Sequence, residues 1–282
     1  MDREQRGQFE IALTCSVRGC AAPLSPEEDR LCCPSGHSFD LARQGYWNLL
    51  QPQDKRSPRP GDSTEVVEAR ARWLARGHAD ELIAEIEEFA QLDRLARGAT
   101  VVDLGCGEGY FDRRLFRGRT VRLCGVDLST AALRLAARQW PAATWVVANA
   151  DRFVPVAEGS PVMVLSLFGR RPRDEIARIL RPTGSLIAVV PAEDDLLELR
   201  GVAQGRAELR NRVPGVIEAL QPTFRLTERR VWRRRTVLHR DSIDDALRMT
   251  YRGERRSERE RLAGTETLEV TLAADLLRFM HA

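Results

Sequence analysis

The sequence has little lysine, few aromatic residues and no long apolar run. Lys55 is the one lysine in a 282-residue chain with 44 basic side chains, and aromatic residues make up 6% of the composition. No segment reaches the roughly 20 apolar residues that a membrane-spanning helix needs. The first ten residues are polar and charged, unlike a secretory signal peptide. These absences predict a cytoplasmic protein with no membrane partner.

A strong charge bias is also absent. The net charge is +3 although 30% of the residues are charged, so overall charge does not require a nucleic-acid partner. The basic residues are nearly all arginine, which is typical of a GC-rich genome, yet arginine is also the better ligand for phosphates and base edges. The length suffices for one large domain with a full core and a second, small one.

Two common nucleotide-binding fingerprints are missing from the most informative stretch. Residues 101–110 read Val-Val-Asp-Leu-Gly-Cys-Gly-Glu-Gly-Tyr, with glycines at 105, 107 and 109. This is neither the Gly-x-Gly-x-x-Gly of dinucleotide-binding proteins nor a phosphate loop ending in Gly-Lys-Ser/Thr. The apolar run followed by glycines predicts a buried parallel strand, a tight turn and a helix. A ligand is expected at the carboxyl end of that strand.

An acidic residue ends the next predicted strand. Val121 to Asp127 is apolar and precedes a helix from Thr130, and the Asp127 carboxylate can accept both hydroxyls of a ribose. The turn and this acid resemble motifs one and two of class I S-adenosylmethionine-dependent methyltransferases; an NAD-dependent Rossmann-like enzyme is the alternative. The cofactor contacts predicted at the three strand ends are Asp103, Gly105, Cys106, Gly107, Glu108, Asp127, Leu128, Asn149 and Ala150.

Four of the six cysteines cluster near the N-terminus, which in a reducing compartment favours a metal over disulfides. Three thiolates and one imidazole suit tetrahedral zinc. Cys32 competes with Cys33 for the third thiolate position, and the Pro-Ser-Gly turn towards His37 favours Cys33. The sequence therefore predicts one structural Zn²⁺. Its predicted ligands are Cys15, Cys20, Cys33 and His37.

The whole pattern predicts an α/β fold, namely a Rossmann-like seven-stranded methyltransferase sheet with helices on both faces, plus a small N-terminal zinc-binding domain. The expected domains are 1–50 for zinc binding, 51–63 as a basic proline-rich linker and 64–282 for the methyltransferase. Later strands are predicted at 144–148, 162–168, 185–190, 223–229, 232–239 and 268–272. Helices are predicted at 64–76, 78–90, 174–180, 195–220 with breaks at Gly201, Gly205 and Pro214, and 257–262.

An arginine-rich stretch runs through the predicted strands 223–229 and 232–239 and ends at residue 240. Strand alternation sends its side chains to both faces, so a single RNA-binding patch is not assured. Two roles stay open for these side chains: contact with phosphates, or a solvated and ion-paired surface. The arginines are Arg229, Arg230, Arg233, Arg234, Arg235 and Arg240.

A series of short motifs carries a closer resemblance. After the cysteine–histidine cluster the chain shows Phe39-Asp40, Gly45-Tyr46, Asn48-Leu49-Leu50, Pro60-Gly61-Asp62-Ser63, Ala69-Arg70, Gly77-His78 and Asp103-x-Gly-Cys-Gly-Glu-Gly-Tyr110. In this order they resemble the RlmA-type 23S rRNA (guanine-N1)-methyltransferases. The resemblance implies methyl transfer to N1 of a guanine in a 23S rRNA hairpin loop, with macrolide resistance in some members. It also implies one zinc ion, a homodimer, and RNA rather than DNA as the partner.

The resemblance also implies site residues. It places the cofactor at Gly107, Glu108 and Asp127, and near His78 or Ala79, where the family's tyrosine is replaced by Ala79. The family's histidine after the fifth strand is replaced by the acidic cluster 193–195, which places Asp195 near the cofactor. The first pair of zinc ligands is spaced by four residues rather than two.

Guanine N1 must lose its proton when it is methylated, and the sequence singles out no base for this step. Asp195 and, on the linker, Asp62 are the candidates. A splayed-out guanine could stack on Phe168 or Tyr110. Two alternative functions are a small-molecule methyltransferase with a structural zinc and a non-catalytic protein that binds RNA or another partner.

Overall fold

The structure is a computed structural model that describes residues 11–55, 60–249 and 261–282. Arg56 and Arg59 of the predicted linker, and 257–260 of the predicted last helix, lie outside the described residues. None of the helices within the described ranges is long and apolar enough to cross a membrane.

The N-terminal region contains a small antiparallel sheet. Its three strands pair in the order β1-β2-β3. They are β1 (Ser25–Glu27), β2 (Arg30–Cys32) and β3 (Ser38–Asp40). Few of their residues are buried, since only Leu31 and Phe39 point into a core.

The larger sheet has eight strands in the described residues, one more than the seven predicted. Its order is β10-β11-β9-β8-β5-β6-β7-β4, with β11 antiparallel to both of its neighbours and the other pairs parallel. The strands are β4 (Trp47–Asn48), β5 (Ala99–Leu104), β6 (Val121–Asp127), β7 (Thr144–Val147), β8 (Met163–Leu167), β9 (Ser185–Pro191), β10 (Phe224–His239) and β11 (Thr267–His281).

The additional strand comes from the N-terminal region. Trp47 and Asn48 of β4 pair in parallel with Val146 and Val147 of β7, at the end of the sheet. The predicted zinc-binding segment therefore supplies one edge of the large sheet. This pairing is not predictable from the sequence, because a two-residue strand has no periodicity to detect.

The antiparallel end of the sheet also differs from the prediction. The strands expected at 223–229 and 232–239 are one strand, β10, because no glycine, proline or other turn residue separates them and the alternation continues throughout. Its partner β11 extends to His281, well past the predicted end at 272, since its second half pairs with β9.

Helices cover both faces of the large sheet. Side chains of even-numbered positions in β5, such as Val102 and Leu104, pack against α5, α7 and the N-terminal region, whereas Val101 packs against α1 to α4. The helices are α1 (Thr64–Ala75), α2 (Asp80–Phe89), α3 (Tyr110–Leu115), α4 (Thr130–Gln139), α5 (Arg173–Ile179), α6 (Leu197–Gln204), α7 (Val213–Leu220) and α8 (Arg240–Arg248).

Two helical details depart from the predictions. The break expected at Gly201 is wrong, since Gly201 lies inside α6. Of the other two expected breaks, Gly205 ends α6 with φ 73°, as predicted, and Pro214 lies in the first turn of α7. Helix α8 was not predicted, although Ile243, Ala246 and Leu247 recur at helical spacing and are buried.

Candidate functional site

The glycine turn follows β5 at the carboxyl edge of the sheet. Gly105, Gly107 and Gly109 have φ values of 81°, 57° and 68°, a region in which residues with a side chain are strained. A Cβ at Gly109 would lie 2.5 Å from the ring of Trp145, and a Cβ at Gly105 would lie 3.1 Å from Cα of Gly169. The turn therefore needs glycine both for its backbone conformation and for close packing.

Asp127 lies beside this turn, at the end of the neighbouring strand β6. One carboxylate oxygen accepts a hydrogen bond from the Gly107 amide at 2.9 Å, and the other accepts one from the Ser129 amide at 2.7 Å. Burial raises the pKa of Asp127, and the two amides oppose that shift. A carboxylate has about four lone-pair sites, so acceptor capacity remains for a ribose diol.

The predicted linker packs over the same edge of the sheet. Asn149, after β7, donates from its side-chain amide to the carbonyl of Asp54 at 3.0 Å, and the Ser129 hydroxyl donates to the carbonyl of Asp62 at 2.7 Å. Gly61 lets the chain approach closely, since a Cβ there would be 2.5 Å from the Ser129 nitrogen. The described parts of the linker thus lie against the loops that follow β6 and β7.

Arg70 of α1 connects the linker to the glycine turn. Its Nε donates to Glu108 at 2.9 Å and its Nη1 donates to Asp62 at 2.6 Å. Burial alone would lower the pKa of Arg70, but the two carboxylates raise it above its ordinary value, so the guanidinium stays charged. The sequence indicates no role for Arg70, because its partners lie 8 and 38 positions away and no local pattern links them.

A pair of acids is buried behind the turn. Asp103 of β5 is 2% exposed and Asp112 of α3 is completely buried. Burial raises the pKa of Asp103 to about 7, and burial together with the charge of Asp103 raises that of Asp112. Two adjacent buried carboxyls do not both ionise readily, so this pair holds a proton near neutral pH.

The two predicted stacking residues occupy different environments. Tyr110 is buried, and its hydroxyl donates to Asp80 at 3.2 Å. Phe168, directly after β8, is 44% exposed and has φ 60°. Its backbone is held by a hydrogen bond to Val189 of β9 at 2.8 Å, and its ring centroid lies 6.1 Å from that of Phe111. Of these two rings, that of Phe168 is the accessible one.

The residues predicted from the family resemblance are less directly connected to the turn. The His78 imidazole lies 2.9 Å from the Ser242 hydroxyl of α8 and packs on Trp73. Ala79 is buried and precedes Asp80, which contacts Tyr110 in the helix after the turn. One oxygen of Asp195 accepts a hydrogen bond from the Ala273 amide of β11 at 3.0 Å, and burial raises the pKa of this carboxyl to about 6.

The four predicted zinc ligands converge on one point. Their ligand atoms all lie within 4.8 Å of one another. The sulfurs of Cys20 and Cys33 are 3.8 Å apart, and Nδ1 of His37 lies 3.4 Å and 3.3 Å from the sulfurs of Cys15 and Cys33. Tetrahedral zinc with Zn–S bonds of about 2.3 Å requires sulfurs about 3.8 Å apart, so the donor set and its spacing fit this metal. Cys32 lies outside the cluster.

The arginine-rich strand β10 is ion-paired. Six arginines, five on β10 and Arg240 at the start of α8, were candidates either for phosphate contact or for ion pairing. Each has a carboxylate within salt-bridge distance, which favours ion pairing. The pairs are Arg229–Asp275, Arg230–Glu85, Arg230–Glu88, Arg233–Asp194, Arg234–Glu81, Arg235–Glu269 and Arg240–Asp244.

Comparison with known families agrees with both parts of this site. Residues 14–58 match the zinc ribbon described as "RlmA, N-terminal", and residues 101–184 match the family "Methyltransferase domain". The predicted cofactors, S-adenosylmethionine and one zinc ion, are confirmed by these matches together with the cysteine–histidine cluster. They also decide against the NAD-dependent alternative.

Three curated relatives extend the similarity over most of the chain. The 23S rRNA (guanine(748)-N(1))-methyltransferase of Streptomyces fradiae is 39% identical over 81% of this chain and 80% of its own length. Proteins named putative 23S rRNA (guanine-N(1)-)-methyltransferase are each 35% identical, in Micromonospora griseorubida over 66% of this chain and 68% of the relative, and in Bacillus subtilis over 60% and 61%. On this similarity, the chain belongs to the RlmA-type 23S rRNA (guanine-N1)-methyltransferase family.

Proposed function

We propose that this protein transfers a methyl group from S-adenosylmethionine to N1 of a guanine in a 23S rRNA hairpin loop. The observation that carries the proposal is the similarity to the Streptomyces fradiae enzyme over 81% of this chain, together with the separate matches to the zinc ribbon and to the methyltransferase domain. The contact between these two parts supports the proposal, because strand β4 and the linker bring the metal-binding region to the sheet that carries the glycine turn. A small-molecule enzyme has no evident need for this arrangement.

The cofactor-binding roles assigned from the sequence are part of this proposal. Asp127 receives the ribose hydroxyls, Asn149 and Ala150 flank the adenine, and the turn 103–108 lies against the rest of the nucleoside. The proposed cofactor-binding site also includes Leu128, His78, Ala79 and Asp195. S-adenosylmethionine supplies an electrophilic methyl group, and the protein's contribution is to hold the accepting nitrogen in line with it.

Phe168 is the proposed platform for the target guanine. The Phe168 ring is exposed, its backbone is strained, and the residue is held in place by Val189 and Phe111. These features are typical of a surface that binds a ligand rather than of a core residue. Base–aromatic stacking is worth about 1–3 kcal/mol, so Phe168→Ala should lower kcat/KM for RNA by about 5- to 150-fold. Phe168→Tyr should retain most activity. Equal activity of Phe168→Ala and the unchanged protein would contradict this role.

Asp195 is the proposed acceptor of the guanine N1 proton. Its raised pKa of about 6 makes it a stronger base than an ordinary aspartate, and Asp62 is engaged by Arg70. Asp195→Asn keeps an oxygen for the Ala273 amide and should lower kcat while removing the acid limb of the kcat–pH profile. An unchanged profile would mean that solvent takes the proton.

The metal-binding residues, domain limits and assembly are proposals of the same kind. Zinc is held by Cys15, Cys20, Cys33 and His37, and the ribbon helps to recognise the RNA. The functional units are 1–50, 51–63 and 64–282. We place the protein in the cytoplasm, where ribosomal RNA is found, and propose a homodimer, which light scattering of the purified protein can test.

Methylation of 23S rRNA tests the function directly. Purified protein, labelled S-adenosylmethionine and rRNA from a strain lacking the modification should give one N1-methylguanine, located by a reverse-transcription stop and by mass spectrometry of rRNA fragments. Gly107→Arg serves as the inactive control, because the substituted side chain fills the turn. Methylation of a metabolite without methylation of rRNA would reject the proposal.

A further inference from the structure

The position of Arg70 over the glycine turn suggests a ligand beyond its two protein partners. Its guanidinium lies against Gly107, where a Cβ would be 3.2 Å from Nη2, 3.6 Å from Cζ and 3.7 Å from Nε. The guanidinium therefore lies close against the middle glycine of the turn. Any residue other than glycine at 107 would meet this cation.

The hydrogen bonds of Arg70 leave one end of the guanidinium available. Nε is used by Glu108 and Nη1 by Asp62. Nη2, the nitrogen nearest to Gly107, makes no hydrogen bond with the residues that the structure describes. A guanidinium has five N–H donors in a fixed fork, so two ion pairs do not exhaust it.

Charge explains why the arginine can be held there. The side chain of Arg70 is 26% exposed, that of Glu108 is 4% exposed and that of Asp62 is 25% exposed. Two carboxylates around one guanidinium keep its charge while most of its water is removed. Arg70 with its two carboxylates has a net charge of −1, so the cluster suits a zwitterionic group whose carboxylate meets the guanidinium while its ammonium lies near the carboxylates.

The sheet order indicates which part of the cofactor meets this cation. The proposed ribose and adenine contacts, Asp127 and Asn149, follow β6 and β7, so the nucleoside extends from the turn towards β7. The amino-acid end is then left at the turn itself, after β5. That end carries a carboxylate, and Arg70 is the cationic side chain packed on the turn.

We propose that Arg70 binds the carboxylate of the amino-acid end of S-adenosylmethionine through Nη2, while Glu108 and Asp62 hold the guanidinium in place. This inference deepens the proposed function and rests on it, because it takes the glycine turn as the cofactor site. The protein contacts of Arg70 alone would indicate a purely structural link between the linker and the turn. The proposal adds a contact with the cofactor.

A pair of ligands that differ in one group tests the contact. S-adenosylhomocysteine and its decarboxylated analogue are titrated into the zinc-loaded protein by isothermal calorimetry, at one pH and salt concentration. The unchanged protein should bind the decarboxylated ligand about 10- to 100-fold more weakly, as expected for loss of a charge-assisted hydrogen bond. Arg70→Gln should bind both ligands with similar Kd, and Arg70→Lys should keep part of the difference.

Arg72→Gln is the matched control, because Arg72 lies on the same helix but pairs with Asp245, away from the turn. It should leave the ratio of the two Kd values unchanged. An equal loss of affinity for both ligands in Arg70→Gln would show a brace only and overturn the inference. If Arg70→Gln does not fold, Arg70→Lys decides, since an unaltered ratio there contradicts the contact. Failure of the unchanged protein to bind either ligand would instead overturn the proposed function.

Discussion

The zinc cluster and the glycine turn reach a fixed geometry in different ways. The strands β1 to β3 near the cluster have three residues each and bury little, whereas β5, which leads into the turn, is buried at all six positions. Strands that bury so few side chains need a metal to hold the loops between them, while the turn is held by the core beneath it. The zinc cluster should therefore lose its structure when a metal ligand is removed, and the glycine turn when the packing beneath it is disturbed.

Removal of a metal ligand should have the largest effect. We expect Cys33→Ser to lose the zinc ion and to lower rRNA methylation by at least about 100-fold. Loss of a residue that only hydrogen-bonds to a metal ligand already costs about 10- to 100-fold in metal affinity or activity, and loss of a ligand itself should cost more. Cys32→Ser is the matched control, since the neighbouring thiol lies outside the cluster and should keep one zinc per chain. Zinc content by atomic emission and methyl transfer to rRNA are the measurements.

A result in which Cys32→Ser, rather than Cys33→Ser, loses the metal would reverse the ligand assignment. If both variants keep their zinc, the cluster is not the metal site. Either outcome would remove the basis for calling this region metal-dependent.

A methyl group added in the turn should have an intermediate effect on stability. Gly109→Ala places a Cβ 2.5 Å from the ring of Trp145 at a φ of 68°, and strain of this kind costs about 1–3 kcal/mol before any repacking. Gly118→Ala provides the comparison, because Gly118 has φ 74° but nothing within 4 Å of the added atom. Urea unfolding should show Gly109→Ala to be the less stable of the two variants.

The difference between these alanine variants isolates packing from backbone strain. Equal unfolding free energies would mean that the turn does not depend on its contact with Trp145. The turn would then not be held by packing, and its contrast with the metal-held zinc cluster would be wrong.

The smallest effect is expected from the buried acid pair. The folded-state pKa of Asp103 is raised to about 7 and that of Asp112 is also raised, so the folded protein binds protons that the unfolded chain releases above about pH 4. The free energy of unfolding contributed by this pair is therefore greatest at low pH and declines as pH rises towards about 7. Asp112→Asn should reduce this decline, as measured by urea unfolding between pH 5 and pH 8.

Asp174→Asn is the control for that series, since Asp174 is an exposed carboxylate on α5. Its stability should follow the pH dependence of the unchanged protein. A decline with pH as steep in Asp112→Asn as in the unchanged protein would show that the two acids do not share a proton.

The parts of the site that are local in sequence were predictable. The glycine turn, Asp127 and the zinc ligands each belong to a short segment or to one strand end. The structure brings Asp127 to the turn, and it brings the four zinc ligands to one another, as those patterns indicate. The central strands were predicted nearly to the residue, because continuous apolar runs are typical of buried parallel strands.

The parts that depend on distant pairing were not predictable. Arg70 becomes part of the site only because Asp62 and Glu108 arrive from a linker and from the turn after another strand. The arginines of β10 appeared as candidate RNA contacts until the carboxylates of α2 and β11 were placed beside them. Such partners are set by tertiary packing, which a single sequence does not display.

The short strand β4 has a consequence for any attempt to divide the molecule. Because Trp47 and Asn48 cover the outer side of β7, a fragment that begins after residue 50 would leave a hydrophobic strand with unsatisfied backbone groups at its margin. Exposed edges of this kind pair with other chains, so such a fragment should precipitate rather than act as a minimal catalytic unit. Domain swaps between relatives should accordingly exchange the N-terminal region and β7 together.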